Sequence, residues 1–137
     1  MTQDSLQFLN PSHWKKPSGY SNGVAATGRL VVTGGIIGWN TQYEFETDDF
    51  AGQVDQALRS IVEVLAEAGA RPEHIVRMTW YVTDKHEYLA SLKDIGAAYK
   101  AHIGRHYPAM ALVQVVALVE DRAKVEIEVT AVIPEAR

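Results

Sequence analysis

Apolar positions along this chain repeat at helical spacing in two stretches and alternate with polar ones in most of the rest. From Asp48 to Ala68, the residues Phe50, Val54, Leu58, Ile61, Leu65 and Ala68 fall on one helical face. Thr47 or Asp48 can cap its start, Gly69 stands where a helix-ending glycine is expected, and Pro72 forbids continuation. A second helix is predicted from Asp84, where Asp84 and Glu87 have capping-box spacing, to Gly104. Its apolar face is Tyr88, Leu92, Ile95, Tyr99 and Ile103. Shorter runs predict strands. Val24–Ala26 and Leu30 to Thr33 flank Thr27-Gly28 and read as a hairpin. Three further strands are predicted: Ile75 to Val82, Ala109 to Leu118 and Lys124 to Ile133, with a turn at Glu120-Asp121-Arg122 between the last two. Phe8 to Gly23 reads as a loop with a short strand at its start, and Gly34 to Gly38 as a flexible stretch that brings backbone close to another group. No repeat, linker or low-complexity segment interrupts residues 1–137, so the expectation is one α+β domain of order β-β-α-β-α-β-β.

The late strands are apolar on both faces. Val125, Ile127, Val129, Ala131 and Ile133 point one way, and Glu126, Glu128, Thr130 and Val132 the other. Met110, Leu112, Gln114, Val116 and Leu118 oppose Ala109, Ala111, Val113, Val115 and Ala117, and Val76, Met78, Trp80 and Val82 oppose Ile75, Arg77, Thr79 and Tyr81. Two helices cover one face of such a sheet. The other would leave a large apolar surface in water, so the chain is expected to work as an oligomer.

Composition narrows the chemistry. There is no cysteine, which excludes disulfides, zinc–thiolate sites and thiol nucleophiles. Met1 to Asp4 shows no basic stretch leading into an apolar run, and no apolar segment reaches the roughly 18 residues of a membrane span. A cytoplasmic protein without a membrane partner is the expectation. The net charge is −4 with scattered Lys and Arg, which disfavours a nucleic-acid partner. Gly34-Gly35-Ile36-Ile37-Gly38 lacks the spacing and the following helix of a dinucleotide loop. His102 and His106 stand four apart, but Gly104 intervenes at a helix end and no third ligand accompanies them, so no metal is expected. No serine sits in a nucleophile-elbow context. Glu126 and Glu128 share a strand face, and either is a solvated strand glutamate or a carboxylate facing a cleft, able to orient water or move a proton.

Taken in order, Pro17-Ser18-Gly19-Tyr20-Ser21, Leu30 to Gly35, Gln53 and Gln56, Ala68-Gly69-Ala70, Val76 to Asp84, Tyr107-Pro108-Ala109 and Val125 to Glu128 resemble the YjgF/RidA family along nearly the whole chain. That resemblance implies a chorismate-mutase-like α+β fold, a homotrimer with sheets packed inward, and small-molecule pockets between subunits. It also implies cofactor-free hydrolysis of enamines and imines. Carried onto this sequence, Glu126 is the catalytic carboxylate, and Tyr20, Thr33 (where serine is usual) and Gly34 line the substrate site. Three further positions depart from the pattern. Met110 stands where an arginine holds the substrate carboxylate, and Leu112 where many members have cysteine. Leu92 aligns with a helix asparagine.

A thioether cannot replace a bidentate guanidinium, so poor hydrolysis of small 2-imino acids is expected, with preference for a less charged, more apolar ligand. Trp39, Trp80 and Tyr107 are the candidate aromatics, and Arg105 is a weaker candidate to take over the lost charge. The readings that follow are a deaminase-type hydrolase with altered substrate preference, a non-catalytic ligand-sensing or protein-binding trimer, and, least favoured, an endoribonuclease.

Overall fold

A computed structural model describes residues 6–135. Seven strands and three helices are present: β1 (Leu6–Phe8), β2 (Val24–Ala26), β3 (Arg29–Val32), β4 (Ile36–Ile37), α1 (Phe50–Ala66), β5 (Ile75–Val82), α2 (Lys85–Ala90), α3 (Leu92–His102), β6 (Ala109–Gln114) and β7 (Val125–Ile133). A 3-10 turn, Pro72–His74, precedes β5. The main sheet runs β3-β7-β5-β6, with β4 also on β7. The β5–β6 pair is parallel and the pairs with β7 are antiparallel. This is the mixed α+β fold expected from the sequence.

The apolar stripe of α1 does what its spacing requires. Val54, Leu58, Ile61 and Leu65 are fully buried against Met78, Trp80, Ile127, Val129 and Ala131 of the sheet. The cap is Asp49 rather than Thr47 or Asp48. Its carboxylate accepts from the Gly52 N–H at 2.9 Å, while Thr47 Oγ1 accepts from Asp49 N–H at 3.0 Å. Gln53 is wholly buried on the same face. Its amide donates to the Thr47 and Arg122 carbonyls and accepts from Lys124 N–H, so one side chain ties the loops before α1 and β7 together.

Five further expectations need correction. Val24–Ala26 and the run after Gly28 do not form a hairpin: β2 pairs with β1, and β3 pairs with β7, where Val31 can pack on the core. The second helix breaks at Ser91, whose hydroxyl donates to the Glu87 carbonyl, so Leu92 turns outward and is 50% exposed instead of joining the core face. Asp84 caps α2 through His86 N–H, but Glu87 pairs with Lys124 at 2.9 Å rather than closing a capping box. A bulge between Ile75 and Arg77 shifts the alternation of β5, so Ile75 joins Met78, Trp80 and Val82 in the core and Val76 does not. The strand predicted to Leu118 ends at Gln114, and Val116 and Val119 stand almost fully in solvent. The turn after it is as expected, with Ala123 N–H donating to the Glu120 carbonyl.

The helices cover one face only. On the other, Leu30, Val32 and Val113 are 66%, 63% and 45% exposed, flanked by the half-buried Ala111, Tyr81 and Val132. No helix among the described residues is long and apolar enough to cross a membrane.

Candidate functional site

Strand β7 alternates buried Val125, Ile127 and Val129 with Glu126 and Glu128, which puts both glutamates on the helix-free face. Their surroundings differ. Glu128 accepts the Tyr81 hydroxyl at 3.2 Å, and partial desolvation together with that carboxylate holds the Tyr81 pKa above its ordinary value. Glu126 makes no side-chain hydrogen bond among the described residues. Its β4 neighbour is Ile37 and its β5 neighbour is Tyr81. The Gly34-Gly35 segment passes close over it: a Cβ on Gly35 would overlap the Glu126 carboxylate. The backbone approach predicted for this glycine stretch is therefore an approach to Glu126.

Thr33 and Gly34 shape that passage. Thr33 Oγ1 accepts from Val129 N–H at 3.1 Å and donates to the Gly34 carbonyl at 2.8 Å, which anchors the extra residue where β3 gives way to β4. Thr33, Gly34 and Glu126 thus form one cluster. Glu126 and Gly35 border a cavity of about 530 Å³, with Trp39, Tyr43, Glu63, Glu67 and Glu120 also in its walls. Trp39 and Tyr43 are stacked, 4.4 Å between centroids and 6° from parallel. Arg122 stands outside this wall, over the Phe45 ring at 5.4 Å and bonded to Asp48.

Tyr20 belongs to a second cluster at the opposite sheet edge. Ser21 bridges to Ala109 of β6, its N–H donates to the Pro108 carbonyl and its hydroxyl to the Tyr107 carbonyl. This fixes the exposed Tyr20 beside a groove of about 830 Å³ that it shares with Trp14, Lys16 and Tyr107. Met110 follows Ala109, pairs with Met78 and packs with Leu112 against the core. Arg105 is exposed in the connection before β6.

The two clusters are separate within one chain. Through Met78 the ladder places Met110 level with Val129, three residues from Glu126 along β7 and two strands away. Strand geometry makes that about 14 Å, on opposite faces of the sheet. Of the three candidate aromatics, Trp39 lines the Glu126 cavity and Tyr107 the Tyr20 groove. Trp80 is in the core, with Nε1 lacking a partner among the described residues. The histidines do not converge: His102 bonds Asp55 at 2.9 Å and His106 donates to the Ile75 carbonyl at 2.7 Å. Sequence reasoning missed Tyr43 and the three accompanying glutamates, because only the folded 39–47 loop, the C-terminal end of α1 and the turn before β7 bring them to Glu126.

A mixed sheet covered on one face by two main helices is the fold of the YjgF/Rid structures. The chain belongs to the endoribonuclease L-PSP family, also called the YjgF/RidA family, whose pattern matches residues 13–133. It is similar to the 2-iminobutanoate/2-iminopropanoate deaminase of Escherichia coli K12, with 31% identity over 77% of this chain and 80% of that protein. A RutC family protein of Aquifex aeolicus is 34% identical over 82% of this chain and 87% of its own length. Among solved structures, the Rid family protein YyfB of Yersinia pestis aligns with a TM-score of 0.83 at 32% identity, covering 95% of this chain and all of that one. The E. coli YjgF gene product aligns at 0.65 and 31%, covering 82% of this chain and 87% of that one.

Proposed function

We propose that this chain is a RidA-type hydrolase of carbon–nitrogen double bonds, built as a homotrimer whose clefts are each shared by two copies. The observation that carries the reading is that Glu126, beside the Thr33–Gly35 passage, and Met110 of β6 lie about 14 Å apart in one chain and on opposite faces, with Tyr20 on a groove next to β6. A second copy docked on the exposed Leu30, Val32 and Val113 face supplies the missing half. Deaminase names among relatives of about 31% identity support the reaction class.

In this reading Glu126 takes a proton from water as its oxygen adds to the iminium carbon. The C=N bond becomes a single bond and a carbinolamine forms. Glu126 then returns the proton to nitrogen, the C–N bond breaks, and the hydroxyl proton passes through Glu126 to the departing ammonia, leaving the carbonyl and ammonium. Thr33, Tyr20 and the Gly34 backbone orient the substrate. No cofactor takes part. Met110 leaves a substrate carboxylate without a charged anchor, so 2-iminopropionate is a poor substrate.

The test is release of ammonium from imines generated in situ. Glu126→Ala lowers kcat by about a hundredfold or more, and Met110→Arg raises turnover of iminopropionate at least tenfold. If Glu126→Ala retains full turnover, the hydrolase reading fails. If the native chain already equals an arginine-bearing relative on iminopropionate, the role given to Met110 fails. If no imine is turned over while a ligand still binds, the chain is the non-catalytic binding trimer instead.

A further inference from the structure

We infer that the Glu126 cavity selects an organic cation without a carboxylate, a protonated imine or amine carrying an aromatic or bulky apolar group. This rests on the reading of Glu126 as the reacting carboxylate and adds what it acts on.

Two independent features of the cavity agree. The first is its charge. Glu63, Glu67 and Glu120 share its walls with Glu126, and no Lys, Arg or His among the described residues lines it. The nearby Arg122 is held outside by Asp48 and the Phe45 carbonyl. A 2-imino acid brings its carboxylate among four like charges, whereas a protonated imine brings only the charge they attract. The second feature is apolar and shaped. Tyr43 is 71% exposed yet lies flat on Trp39, held there by a left-handed backbone at φ 64°, the only non-glycine residue so placed among the described residues. The Asn40 carboxamide accepts from the Gln42 and Glu44 N–H groups, and the Asn40 carbonyl accepts from Tyr43 N–H, which fixes the turn. The turn thus presents indole and phenol surface to the cavity, which suits stacking with an aromatic group and attraction of a cation. Met110 is the third side of the argument: the change that removes a carboxylate anchor accompanies a cavity that has no use for one.

Calorimetry with 2-phenylethylammonium and 3-phenylpropionate, which share a body and differ in charge, tests this on the intact assembled protein. The ammonium is expected to bind, more weakly as salt rises, and the carboxylate to bind at least tenfold more weakly. Trp39→Ala is expected to weaken the ammonium about tenfold. Because that change also removes a loop anchor, a Glu63→Gln/Glu67→Gln variant on the exposed side of α1 gives a second readout, with a threefold or greater loss and a shallower salt dependence. Equal or tighter binding of 3-phenylpropionate, or ammonium binding untouched by both variants, overturns the inference. Turnover separates the two claims, using the imine that a flavin amine oxidase releases from 2-phenylethylamine. Ammonium binding without hydrolysis of that imine supports this selectivity and removes the hydrolase reading. Hydrolysis of iminopropionate with no ammonium binding keeps the hydrolase and overturns the selectivity.

Discussion

Gly35 and Glu126 meet across a β-bulge, and the meeting depends on what glycine lacks. Any side chain at 35 would occupy the space of the Glu126 carboxylate. Gly35→Ala is therefore expected to lower kcat for imine hydrolysis by about a hundredfold, the scale of an ångström-sized misplacement, while the melting temperature falls little. Steady-state kinetics beside a thermal melt check this, and an unchanged kcat would detach Gly35 from the site. Of these two residues only Glu126 was legible in the sequence, since alternation with Val125 and Ile127 puts it on the free face. The glycine run was legible as a close approach, but its target lies some 90 positions away and no local pattern names it. Met110 shows the opposite case. Its standing as a departure from the family pattern comes from the resemblance alone, and its packing on the core face with Leu112 was not legible.

The elements were read best where one pattern governs a long segment. Helix α1 needed only its apolar stripe and its terminal glycine, whose left-handed φ of 78° ends the helix as expected. Errors arose where a single residue resets the pattern: the bulge near Val76, the break at Ser91, and the short β2 strand whose partner is set by tertiary contacts rather than by the adjacent turn. The 3-10 turn before β5 carries a pH dependence of its own. His74 is buried, and its Nδ1 accepts from Arg71 N–H at 3.0 Å, which requires that nitrogen to be unprotonated. Burial lowers the His74 pKa below its ordinary 6.5. The unfolded chain then binds this proton more readily, so the contribution of His74 to stability is complete above about pH 6.5 and is lost as pH falls toward the folded-state pKa. Melting curves from about pH 7.5 to 5 should show a flatter decline for His74→Asn than for the native protein. An identical slope would remove His74 as a source.

At the scale of the whole molecule the sheet's free face is the surface on which the proposed assembly rests. Leu30→Glu with Val32→Glu places two charges on that face without touching the core. Sedimentation at micromolar concentration is expected to give a trimer for the native chain and a monomer for the double variant, with imine hydrolysis lost and helix content kept. A native monomer would refute the shared cleft. The surplus apolar surface of the free face was legible in the sequence, and the exposed Val113 belongs to it. The division of the site was not, because sequence order interleaves residues that the ladder sends to different strands and faces.

That division has a genetic consequence. Glu126 sits on β7 and Met110 on β6, about 14 Å apart and on opposite faces. In the proposed trimer, substitutions at one half would leave the other in place, so ligand preference can drift while the carboxylate stays under separate selection. Two sibling chains made in one cell and exchanging subunits in such a trimer would also present composite clefts, pairing the carboxylate of one with the binding edge of the other, and display specificities encoded by neither gene alone.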